Sequence, residues 1–205
     1  MEGVAAAPGR HFHEIVGLNT VSSATAHFLI GAALSLPALR LVELTTILPR
    51  WRLPVISGLL AAAPDLDLAG RRAFGIPAGS LFAHRGFFHS PFFLILLAAA
   101  LAGIIARGHS RKVFLWLWLI WAGCMVTHPL LDALTNGGIG VTLLLPFSRA
   151  RLFFPWRPIY TPPAGVENLI GRAWFIRRSE IPFCLAAAAI GIGGLLVRTR
   201  RWRML

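Results

Sequence analysis

The sequence predicts an all-α fold: a polytopic helical membrane protein with about four to five membrane-embedded helices and one long interfacial loop. Three observations carry that prediction. Of 205 residues, 56% are hydrophobic and only 14% charged, where a soluble domain carries about 25% charged residues. The apolar residues are gathered into segments approaching the roughly 20 residues that a bilayer crossing needs. The basic residues, Lys112 and nineteen arginines, lie in short flanks between those segments rather than on one basic face. The net charge of +12 therefore reads as positive-inside bias and attraction to anionic lipid head groups, with membrane lipids as partners and no nucleic acid expected.

Residues 1–23 read as a small, polar, flexible tail containing His11 and His13, and 198–205 as a basic C-terminal tail. A single membrane-embedded domain fills 24–197. The first apolar run begins near Ala24 and no small-residue cleavage site follows it, which argues against a cleaved signal peptide. Within the domain, 28–39 and 53–64 each offer about 18 Å of clean apolar helix. They form either two crossings or a re-entrant hairpin. The first can continue to Leu48 through Pro37, with Arg40 and Glu43 as an internal i, i+3 pair. Segments 91–107 and 181–197 are just long enough to span, and 113–134 spans comfortably. Ser90-Pro91 is a good helix start, with serine as N-cap and proline in the first turn. Residues 135–180 form a long connection rich in Pro, Gly, Arg and aromatics, too aromatic for disorder. In it Val166, Leu169, Ile170, Ala173 and Trp174 fall at the spacing of a short amphipathic helix at the interface. Cys124 and Cys184 lie in apolar stretches and show neither CxxC nor a disulfide framework.

Three polar clusters end or precede these apolar segments: Pro64-Asp65-Leu66-Asp67, His84-Arg85-Gly86-Phe87-Phe88-His89-Ser90, and His128-Pro129-Leu130-Leu131-Asp132. Ionisable side chains at membrane depth are costly and mark chemistry, ion handling or a paired network. In an alternating topology all three fall on one side of the membrane together with His27. Opposite lie Arg50, Arg52, Arg107, Arg111, Lys112, Arg198, Arg200, Arg201 and Arg203. Their density in short loops makes that side cytoplasmic, so the clusters face the periplasm.

His128 and Asp132 are four apart and share one helix face, so both reach a single ion. His84 and His89 bracket a helix start, where a bend turns both imidazoles inward. Asp65 and Asp67 follow Pro64 in an extended or turn stretch, one as ligand or bridge and the other orienting a histidine. His27 adds a further nitrogen. Neutral imidazoles with carboxylates suit a divalent metal, zinc first, with manganese or iron as alternatives. Two or three ions could share so many ligands, an arrangement used in phosphoester hydrolysis. Each residue also has a structural reading. His27 can be a hydrogen-bonded core histidine, Asp65 and Asp67 can cap the next helix, and Arg85 can snorkel to the interface. Cys124 reads as a small buried hydrophobe and His109 as an exposed loop residue.

The order of a histidine near the first helix, PDxD, HRGxxHS, and HxxxDxLTxxG followed by PFS and FPWRPI resembles the YdjM-type membrane-bound metal-dependent hydrolases of bacteria. That family is distantly similar to the zinc-dependent phospholipase C and single-strand nuclease superfamily. The resemblance covers roughly 24–182, and HRGxxHS together with HxxxDxLT is its specific part. It implies a bacterial inner-membrane protein with a metal site of His27, Asp65, Asp67, His84, His89, His128 and Asp132. The family commonly has threonine where this chain has Phe88, which removes a hydroxyl and leaves the ligands intact. With the ligand set, the resemblance implies a metal-activated water cleaving a phosphoester of a lipid or lipid-linked substrate. Asp67 is the candidate general base and Arg85 the candidate for developing negative charge. Arg151, Trp156 and Arg157 are candidates to receive an anionic head group. The alternatives are a metal or ion transporter using the same ligands, and a non-catalytic membrane scaffold. Zincin, serine-hydrolase and NTPase readings lack their motifs: there is no HExxH, GxSxG or glycine-rich phosphate loop.

Overall fold

A computed structural model describes residues 23–77, 80–161 and 178–197. Among them the chain is helical, without a named strand: α1 (Ala24–Leu34), α2 (Val42–Thr45), α3 (Arg52–Ala62), α4 (Asp67–Phe74), α5 (Pro91–Ile105), α6 (Arg111–Ala133) and α7 (Ile181–Leu196). Short 3₁₀ turns cover Leu36–Arg40, Ala63–Leu66 and Phe87–His89.

Serines start three of these helices. Ser23, Ser90 and Ser110 each accept a hydrogen bond from the backbone N–H three residues on, filling an otherwise orphaned donor. The predicted start at Ser90-Pro91 is thus found as expected. Two other expectations change. The first segment does not run on through Pro37; α1 ends at Leu34 and the chain breaks into the 3₁₀ turn and α2, because proline lacks the N–H that would continue the ladder. Arg40 and Glu43 do not pair either. Arg40 Nη1 donates to the Gly194 carbonyl, and Glu43 meets Lys112 Nζ at 2.6 Å.

Two helical stretches are long and apolar enough to cross a bilayer, Arg52–Gly70 and Arg111–Ala133, while Pro91–Ile105 and Ile181–Leu196 are apolar but shorter. The Arg52–Gly70 stretch outgrows its sequence expectation of 53–64 because Pro64 sits in the first turn of the 3₁₀ segment, where its missing N–H costs nothing. The chain therefore stays coiled through the acidic pair instead of extending.

α5 and α6 form an antiparallel hairpin, and α1 lies between α3 and α7. Close approach of α1 and α3 depends on small residues. A Cβ on Gly31 would collide with Ala61, and one on Gly58 would sit 2.7 Å from the Phe28 carbonyl oxygen. Glu180 ties the starts of α1 and α7 together, accepting from Ser23 N and Ser23 Oγ at 2.7 Å each. The core joins Leu94, Ala98 and Ala102 of α5 to Val113, Leu117, Trp121 and Met125 of α6. Large apolar side chains also point outward, among them Leu96, Leu119, Leu185 and Ile190, as suits a surface that meets lipid.

One stripe of α6 shows how the fold builds its site. Val113, Leu117, Trp121, Cys124 and Met125 continue into His128 and Asp132, and all are buried. The face that packs the core at one end of the helix presents a histidine and a carboxylate at the other.

Candidate metal centre

The clusters meet where α3 and α6 end and α1 and α5 begin. His27 stands in the first turn of α1, and Asp65 in the 3₁₀ turn after α3. Asp67 opens α4, and His89 closes the 3₁₀ turn before α5. His128 and Asp132 occupy the last two turns of α6. His84 and Arg85 come from the connection between α4 and α5.

Four ligand atoms converge: Asp65 Oδ1, His89 Nε2, His128 Nε2 and one Asp132 oxygen. His89 and His128 Nε2 are 3.2 Å apart. Asp65 Oδ1 is 3.4 Å from His128 Nε2 and 3.8 Å from His89 Nε2. Asp132 Oδ2 is 3.5 Å from His89 Nε2 and 3.7 Å from His128 Nε2. Ligand atoms arranged tetrahedrally about 2.0–2.2 Å from a central ion are separated by about 3.3–3.6 Å. The separations between these atoms, 3.2–3.8 Å, bracket that range, and the cluster could hold a metal ion.

Its proton count favours a cation as well. His128 Nδ1 lies 2.7 Å from the Ala61 carbonyl oxygen. Donating its proton there leaves the neutral ring a lone pair at Nε2, aimed at two carboxylate oxygens. Neither oxygen of Asp65 receives a hydrogen bond although both are buried. Buried acceptors without donors are costly, and a divalent ion is the group that converging lone pairs fit. The local field agrees. Burial pushes the His89 imidazole down, yet the Asp65, Asp67 and Asp132 carboxylates around it outweigh that and raise it to about 9. This is a place where positive charge is held.

Asp67 faces two imidazoles. Its Oδ1 lies 2.9 Å from His84 Nδ1 and its Oδ2 3.2 Å from His89 Nδ1. Asp67, His84 and His89 form a second group that could hold an ion. His84 Nε2 is buried without a hydrogen-bond partner, and burial, working against the Asp67 hydrogen bond, lowers its pKa. His27 flanks the first group. Its ring stacks on His128 with centroids 3.7 Å apart, and its Nε2 stands 3.8 Å from Asp132 Oδ1.

Arg85 is fully buried, so it does not snorkel. Its Nη2 lies 3.3 Å from Asp132 Oδ1, and its Nη1 donates to Thr135 Oγ1 and the Gly137 carbonyl at 3.0 and 2.9 Å. The guanidinium is thus turned onto Asp132 rather than toward an outside anion. Its backbone is left-handed, with φ at 62°, a conformation costing about 1–2 kcal/mol in a residue with a Cβ. Thr142 secures it, donating N–H to the Arg85 carbonyl and Oγ1–H to that of Gly86. Gly86 must be glycine there, since a Cβ would collide with the Leu81 carbonyl oxygen.

The connection after α6 closes over this end. Asn136 N–H donates to the Ile159 carbonyl, and Phe154 N–H to that of Ala133. Arg151 Nη1 reaches the His84 and Gly140 carbonyls, and Nη2 that of Ser80. Trp156 is exposed, and the Arg157 guanidinium rests 5.1 Å over the Phe153 ring. The amphipathic helix expected around 166–174 lies outside the described residues. Sequence reasoning gave no role to Thr135, although it stands inside the HxxxDxLT pattern. It also missed the Ala61 carbonyl, which as backbone leaves no sequence signal. Cys124 is structural, donating Sγ–H to the Gly31 carbonyl.

A family model described as "YdjM inner membrane protein" matches residues 23–203. The curated inner membrane protein YbcI of Escherichia coli (strain K12) is 35% identical over 127 residues, which cover 58% of this chain and 72% of that one. No solved structure matches.

Proposed function

The chain belongs to the YdjM inner membrane protein family, and from that premise we propose that it is a metal-dependent hydrolase of a phosphoester in a lipid or lipid-linked substrate. The observation that carries the reading is the convergence of Asp65, His89, His128 and Asp132, whose ligand atoms all lie within 4.8 Å of one another at a largely buried site. Zinc suits two imidazoles and two carboxylates, with manganese or iron as alternatives. When bound, the ion supplies Lewis acidity toward a phosphoryl oxygen and lowers the pKa of a water.

The chain's own residues have distinct tasks. His89, held through Nδ1 by Asp67, and His128, held through Nδ1 by Ala61, present Nε2 in fixed orientation; such supporting contacts commonly decide affinity. Arg85 and Thr135 hold Asp132. Asp67 is the proton acceptor we assign, through the His84 ring beside it, which is less buried than His89 or His128. His27 packs the pocket through its stack on His128 and is the seventh ligand only if more than one ion binds. Arg151, whose partners are carbonyl oxygens beside His84, keeps its charge available for a phosphate. Trp156 and Arg157 extend that anion-binding rim. In the membrane we assign crossings to α5, α6 and α7, with α1 and the α3–α4 stretch forming either two crossings or a re-entrant hairpin, which leaves the same parity. The site then opens to the periplasm, opposite Arg50, Arg52, Arg107, Arg111 and Lys112.

Elemental analysis of the detergent-purified protein tests the reading, with hydrolysis of bis(p-nitrophenyl) phosphate measured alongside. Near-stoichiometric zinc or manganese in wild type, lost together with turnover in His128→Ala, is expected. Protein that remains metal-free after zinc and manganese are supplied would end the hydrolase reading.

A further inference from the structure

An apolar cavity of about 430 Å³ adjoins the His/Asp cluster, within the roughly 300–1,000 Å³ usual for small-molecule sites. Phe74, Phe82, Phe88, Phe93, Leu97 and Met125 supply much of its wall, and among the described residues Asp67 is the one ionisable residue lining it. The cavity and the cluster are continuous through the backbone. Pro64 of the wall precedes Asp65, Phe88 precedes His89, and Met125 stands one turn before His128. Two elements therefore give one residue to an apolar wall and the next to the polar centre, and α6 gives one to each a turn apart. Leu66, Phe74 and Phe82 line the cavity and are exposed, so its mouth is apolar.

We infer that this cavity binds one acyl chain of a membrane phospholipid and so sets the phosphoester at the His/Asp cluster. The inference rests on the hydrolase reading for the headgroup end, while the chain site stands on the cavity itself. An aliphatic chain suits walls that offer little hydrogen bonding away from Asp67, because a polar ligand buried there would lose its water without replacement. Burial of methylenes supplies binding energy remote from the reacting bond, which serves to position that bond.

Gly70 makes the inference testable. It lines the cavity, and a Cβ built on it meets nothing within 4 Å. The Cβ position is therefore open, and a bulky side chain built from it is expected to occupy cavity space. The probe is a phosphatidylglycerol carrying a diazirine at the end of one acyl chain, in nanodiscs of phosphatidylethanolamine and phosphatidylglycerol, with metal content measured in parallel. Wild type and Gly70→Ala are expected to crosslink at Phe82, Phe88 or Leu97. Gly70→Phe is expected to lose those crosslinks while keeping bound metal and the crosslinks at the outward Leu185 and Ile190. Cavity crosslinks unchanged in Gly70→Phe, or found in wild type only on outward positions, would overturn the chain site. Cavity crosslinks in a protein without metal would uphold it and sink the hydrolase reading instead.

Discussion

The two ends of the helical bundle treat charge in opposite ways. At one end Asp132, His89, His128 and Arg85 are buried completely, each within reach of at least one other. At the other, Glu43 and Lys112 pair at 2.6 Å with side chains 37% and 64% exposed. The shorter contact is the weaker one. An exposed pair trades one hydrated state for another and gains little, whereas a buried group must find partners or be expelled. Burial of so many ionisable groups marks the first end as the candidate functional one.

The sharpest way to break that comparison is Asp132→Ala. It removes a ligand and leaves the Arg85 guanidinium buried without its carboxylate. Loss of bound metal is expected, with destabilisation of about 3–5 kcal/mol, read by thermal unfolding in detergent and elemental analysis. A variant that melts like wild type would show that the two ends do not differ in kind.

Asp67→Asn should act on affinity rather than on folding. An amide keeps the shape of the side chain but orients His84 and His89 less strongly. Metal affinity should fall about 10–100-fold, as for other groups that orient a ligating histidine, measured by competition with a chelator. Complete loss of metal would instead make Asp67 a ligand. Thr135→Val comes next. Its hydroxyl accepts from Arg85 Nη1 and donates to the Asp132 carbonyl at 2.7 Å. Removing it should cost about 1–3 kcal/mol, seen in chemical denaturation, with metal still bound.

The sequence exposed the site better than it exposed the scaffold. His128 and Asp132 at i, i+4 stand on one face as the spacing requires, because α6 is unbroken there. His27, Asp65 and His89 were recognisable by type, as ionisable groups in apolar company, and all three lie at the cluster. Their division of labour was not recognisable. Whether Asp65 or Asp67 faces the centre depends on the chain staying coiled after Pro64, a conformational choice that residue types do not encode. The partner of Arg85 was hidden because only tertiary packing brings it to Asp132 and Thr135 across about fifty positions. The helices were legible where apolar runs ended at serine caps, and less so at α1, where Pro37 cut a run that composition alone would have continued.

Glu43→Gln should have the smallest effect, and its pH dependence shows why. The Lys112 hydrogen bond holds the Glu43 carboxyl below its ordinary value. A carboxyl depressed in the folded state stabilises above its unfolded pKa, and that contribution disappears as pH falls through the folded pKa. Wild type and Glu43→Gln should therefore melt together in acid, with wild type marginally higher at neutral pH and low salt. Raising the salt should erase the difference, because an exposed pair is screened. The outcome that would overturn the contrast is a melting difference at neutral pH as large as that of Thr135→Val and indifferent to salt. Glu43 and Lys112 would then behave as a buried pair does, and the loop end of the bundle would carry structure as demanding as the His/Asp end.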